Sequence, residues 1–74
     1  MTVFQLITDK VQRGVLPCDK PLKLWAGYGN GRRCDGCDKP IMMNEIEREL
    51  DMPDASILRF HIVCEAFWRS ATAN

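Results

Sequence analysis

The 74-residue chain has no apolar run near the ~18–20 residues needed to cross a membrane. Its opening segment, MTVFQLITDK, lacks the basic stretch, apolar centre and small-residue cleavage site of a secretory leader. Neither a membrane-spanning nor an exported protein is expected, and the expected localisation is cytoplasmic, where thiols stay reduced. Net charge is also missing: ten Lys and Arg balance ten Asp and Glu, so no dominant phosphate-binding surface is implied. Histidine occurs once, as His61. That excludes any mechanism needing one histidine as a metal ligand and another as a base.

What is present is concentrated between Cys34 and Cys64. Cys34-Asp35-Gly36-Cys37 is followed by 23 residues and then by His61-Ile62-Val63-Cys64. Two half-sites of this kind, each giving two ligands from one tight stretch, suit a tetrahedral zinc ion. Three thiolates and one imidazole fill all four positions and leave none for water or substrate. Cys34, Cys37, His61 and Cys64 are therefore the expected ligands of one structural Zn2+.

Size makes such a staple valuable. A core in a chain this short supplies roughly 3–5 kcal/mol, whereas structural zinc contributes about 10–16 kcal/mol in finger-like peptides. The alternative use of four cysteines, two disulfides joining Cys34 to Cys37 and Cys18 to Cys64, would leave His61 without a role. Nothing in the opening segment points to the oxidising compartment those bridges need.

The expected fold is small α+β in a single domain, 1–74, with three parts. Residues 1–14 carry a helix over about 3–13: Thr2 and Gln5 fit a capping box, Phe4, Ile7 and Val11 fall at helical spacing, and Gly14 and Pro17 stop it. Residues 15–33 read as an irregular, Gly- and aromatic-rich arm, broken by Pro17 and Pro21 and ending in Gly27-Tyr28-Gly29-Asn30-Gly31. Trp25 and Tyr28 are expected to cover the core from this arm. Residues 34–72 form the zinc module. Glu45–Leu50 alternates as a half-buried strand in which Arg48 interrupts the inward set, and 51–55 is a turn. The segment 57–62 is a strand with Leu58, Phe60 and Ile62 on one face, and a helix runs from about 63 to 71 with Phe67, Trp68 and Ala71 near Cys64.

A knuckle, a β-hairpin and a helix whose first turn carries the second ligand pair make the treble-clef order. The pattern C-x2-C-x23-H-x2-C resembles the first zinc module of LIM domains, with the same ligand types in the same order. The resemblance covers residues 34–68 and implies a zinc-ligand role for Cys34, Cys37, His61 and Cys64. The second zinc module that follows directly in LIM domains has no counterpart in residues 69–74. The Trp-Gly-rich lead into C-x2-C and the late H-x2-C before an aromatic helix also resemble small bacterial zinc-finger-like proteins without an assigned activity.

Catalysis is not expected. A redox C-x2-C needs a strand feeding a helix at the motif, and none precedes Cys34. Asp35, Asp38, Glu45, Glu47 and Glu49 read as solvated surface charges, and no small-molecule substrate is implied. Charge is uneven, with six basic against two acidic residues in 1–33 and four against eight in 34–74. Lys20, Lys23, Trp25, Tyr28, Arg32 and Arg33 form the one basic and aromatic constellation, the candidate contact surface for a partner. A protein partner is the first expectation and nucleic acid the alternative. Cys18 is left over and is expected to be a small buried or half-exposed residue.

Overall fold

The computed structural model describes residues 1–73. Its first element, α1 (Val3–Gln12), starts where the sequence supplies a reciprocal cap: the Thr2 hydroxyl accepts from Gln5 N–H and the Gln5 side chain accepts from Thr2 N–H. Gly14, at φ +76°, ends it, and Val15 and Leu16 donate back to Lys10 O. Three strands follow, β1 (Lys23–Tyr28), β2 (Ile46–Asp51) and β3 (Ile57–His61), and then α2 (Ile62–Thr72). The strands form one antiparallel sheet in the order β1-β2-β3.

Between β1 and β2 the chain makes a tight knuckle. Ile41 N–H donates to Arg32 O, Cys34 N–H to Lys39 O and Asp38 N–H to Cys34 O, with Arg33 and Pro40 bridged across the turn. The knuckle docks on the outer edge of β3. Asp35 N–H donates to Arg59 O (2.7 Å) and the Asp35 carboxylate accepts from Arg59 N–H (2.7 Å). Those are the outward backbone groups at the middle of β3, where Arg59 stands between Leu58 and Phe60, which pair with β2.

The core lies between the sheet and α2. Phe60 and Leu50 are fully buried, and Phe60 stacks on Trp68 with ring centroids 5.6 Å apart. Arg48 follows the inward set that its neighbours predict, because the buried carboxylate of Glu65 on α2 meets it at 3.4 Å and is also held by Arg69. A buried carboxylate needs such partners to remain charged. Helix α1 packs against α2 and the knuckle, placing Ile7 at the centre of the core. The whole measures 31 × 30 × 16 Å, the depth of one sheet and one helical layer.

Three expectations need correction. The arm 15–33 is not irregular throughout, since Lys23–Tyr28 is strand β1, paired with β2 over its full length. An edge strand gains its stability from the backbone ladder on one side, so its side chains need not alternate between core and solvent. For the same reason Trp25 and Tyr28 do not cover the core: they are 51% and 77% exposed. Ile62 leaves the inward face because the chain turns into α2 at that residue, and it too is exposed.

Phe60→Ala should cost about 3–5 kcal/mol in denaturant unfolding, and Tyr28→Ala no more than about 0.5 kcal/mol. Equal losses would put the core in the wrong place.

Candidate metal centre

The four ligand candidates come together from three places. Cys34 and Cys37 stand at the two ends of the knuckle turn, His61 closes β3, and Cys64 lies in the first turn of α2. One ligand atom from each lies within 4.8 Å of all the others. His61 Nδ1 is 3.4 Å from Cys37 Sγ and 3.9 Å from Cys64 Sγ. A tetrahedral ion with bonds of about 2.0–2.3 Å separates its ligand atoms by about 3.5–3.8 Å, so the spacing fits one ion. Cys34 and Cys64 are buried, while Cys37 and His61 are half-buried. The site is closed on the side of the core and reaches the surface only at its edge.

The imidazole is presented in the orientation a metal requires. His61 Nε2 is 3.2 Å from Pro40 O, and a carbonyl can only accept, so the proton sits on Nε2. That leaves the Nδ1 lone pair facing the sulfurs. Glu45 Oε1 stands 3.5 Å from the same Nε2 and supports this tautomer.

The thiols do not titrate independently. A hydrogen bond from Cys64 draws Cys34 down to about 4, against the effect of burial and with help from backbone N–H groups of the knuckle. Cys64 is pushed up, first by that bond and then by burial and the charges of Cys34 and Cys37. A buried cluster of this kind holds one thiolate readily and a second only with a cation beside it.

The knuckle is fixed by residues with no ligand role. Gly36 N–H points at Cys34 Sγ (3.4 Å). A Cβ on Gly36 would lie 3.0 Å from Ile7 and 3.1 Å from Cys64, so glycine is needed there for space between α1 and the site. Lys10 reaches from α1 to Asp35 O (3.0 Å) and to the Asp38 carboxylate (2.8 Å). The sequence carried a signal for Lys10, which falls on the helical stripe of Val3 and Ile7 where a lysine is out of character. Asp35, Asp38 and Glu45, expected as solvated charges, turn out to position the turn and the imidazole.

The basic and aromatic constellation is not brought into one surface. Trp25 and Tyr28 are three apart on a strand and face opposite sides of the sheet. Lys23 lies over its own Trp25 ring at 5.6 Å, and Asp51 accepts from Trp25 Nε1. Lys20 lines a cleft at the end of α2 together with Cys18, whereas Arg32 and Arg33 are beside the knuckle, Arg33 3.9 Å from Asp38. Cys18 is exposed and does not belong to the ligand cluster.

A groove of about 520 Å³ opens over the cluster, its apolar wall formed by Val3, Ile46, Ile62, Val63 and Phe67 and its floor by Cys37, His61 and Cys64, with Glu45 at one side. No helix among the described residues is long and apolar enough to cross a membrane. Comparison with protein-family models, curated proteins and solved structures gives no match for this chain. The site is therefore read from its own geometry.

His61→Ala should abolish metal retention and lower stability more than Phe60→Ala does, because it removes a ligand; a variant that melts like the parent contradicts the site. Acid should act in the same direction. Cys34, held at about 4 against an unfolded thiol value of about 8.5, contributes stability that is fully present above the unfolded value and is lost as pH falls through the folded one. Metal and fold should leave together on acidification, and retention of both at about pH 3 would contradict this.

Proposed function

We propose that the chain is a non-catalytic module in which one structural Zn2+ fixes a surface for binding another macromolecule, a protein of the cytoplasm. A mixed set of three thiolates and one imidazole in closed tetrahedral geometry favours zinc over harder or redox-active ions. It has the ligand order of the first LIM zinc module. The single histidine is committed at both ring nitrogens, to the sulfurs and to Pro40 O, so it is not free to act as a base.

The observation that carries the protein-binding reading is the groove over the cluster. Ile62 and Val63, the first two residues of α2, are each 53% exposed and lie between half-buried Val3, Ile46 and Phe67. Contiguous apolar surface of this kind is kept for contacts. The nucleic-acid reading is the weaker one, because its basic groups are scattered and Glu49 and Asp51 stand opposite Trp25 and Lys23 in the sheet.

With metal-loaded protein as bait, a bound protein should survive moderate salt and be lost when Ile62→Glu and Val63→Glu are combined. Recovery of nothing would contradict the reading. So would binding to random duplex or single strands that falls steeply with salt and flattens in Arg32→Ala with Arg33→Ala.

A further inference from the structure

A sheet of three strands has two edges, and here they are treated differently. The outer edge of β3 is closed by the knuckle through both backbone groups of Arg59. Among the described residues no strand pairs with the outer edge of β1, and every residue from Lys23 to Tyr28 is exposed. Gly29 N–H donates to Glu45 O (2.9 Å), which sets the phase of the β1–β2 ladder. Trp25 and Gly27 therefore turn their backbone groups toward β2, and Leu24, Ala26 and Tyr28 turn theirs outward. The usual protections of an edge are confined to its start, at Pro21 and Lys23: Leu24–Tyr28 contains no charge, no proline and no break in register.

We propose that β1 pairs with β1 of a second copy of this chain, antiparallel about a two-fold axis at Ala26, joining two sheets into one of six strands. One register pairs all three outward residues with all three of the other copy: Leu24 with Tyr28, Ala26 with Ala26, and Tyr28 with Leu24. Each pair exchanges two hydrogen bonds. In that register the strand is complementary to itself. Trp25 falls opposite Gly27, beside which there is open space, so the indole of one copy lies over the bare backbone of the other. Tyr28 meets Leu24 on the opposite face, an aromatic–aliphatic pair. Lys23 falls opposite Gly29, so no like charges meet.

Leu22, Leu24, Trp25 and Tyr28 are all substantially exposed. Pairing would cover part of this surface in each copy, a contact on the small and weak side of specific interfaces. The contact closes on itself. Once the β1 edges are paired, the β3 edges are already covered by the knuckles, so a two-fold dimer forms and no filament grows. This pairing rests on the sheet and not on the identity of the metal or of any other partner.

Sedimentation velocity of the metal-retaining protein from about 10 µM to about 1 mM, the range of weak specific association, should show 8.5 kDa monomer giving way to a species of twice that mass. Ala26→Pro should abolish the dimer, since the N–H it removes points away from β2 and is not used within the chain. Ala26→Lys should do the same by setting two ammonium groups against each other at the axis, which keeps the test open if the proline variant does not fold. Monomer throughout the range overturns the proposal. A dimer unchanged in a folded Ala26 variant, or one lost only when Ile62→Glu is introduced, overturns it as well by placing the contact on another face.

Discussion

Three sulfurs and an imidazole nitrogen that lie within 4.8 Å of one another can all act as deprotonated ligands only if a cation sits among them. That constraint organises the rest of the structure. The knuckle supplies two sulfurs, the end of β3 the imidazole and the start of α2 the last sulfur. Helix α1 joins the same point from outside, with Ile7 against Gly36 and Lys10 tied to Asp35 and Asp38. Every element except β1 and β2 touches the cluster or the turn that forms it, and those two are tied in through β3.

The hydrophobic core is arranged as the second half of the same device. Phe60, one residue before the histidine ligand, stacks on Trp68, one helical turn beyond Cys64. Ligand geometry and core packing therefore fix the same angle between β3 and α2. Glu65 adds a polar clamp next to Cys64 by holding Arg48 of β2. With a metal in the cluster, its loss would release both ends of this arrangement at once, which is why the ligands are expected to outweigh any single core side chain.

Much of this was legible in the sequence, for reasons that differ by element. The Cys3His cluster was readable because its two half-sites are spaced as a metal would require, and α1 because Thr2, Gln5 and Gly14 mark its ends. The hairpin and α2 were readable because Leu50, Phe60 and Trp68 must face one core. Strand β1 was hidden because an edge strand exposed on both faces leaves no alternation to see, and the glycines and prolines around it imitate a loop. The exposure of Trp25 and Tyr28 was missed with it, since large aromatics are normally assigned to the interior. The positioning roles of Asp35 and Glu45 depend on contacts between residues far apart in the chain, which periodicity does not record; Lys10 alone left a trace, as a lysine on the apolar stripe of α1. The surfaces that remain are an apolar groove over the cluster and an unpaired sheet edge, and both suit contact with other polypeptides.

The measurement that bears most directly on this account is native mass spectrometry of protein purified without added metal, repeated after a strong chelator, with circular dichroism on the same samples. The account predicts one zinc per chain and loss of the fold when it is stripped. A metal-free chain that stays folded, or one whose mass is four hydrogens light from two disulfides, would contradict it.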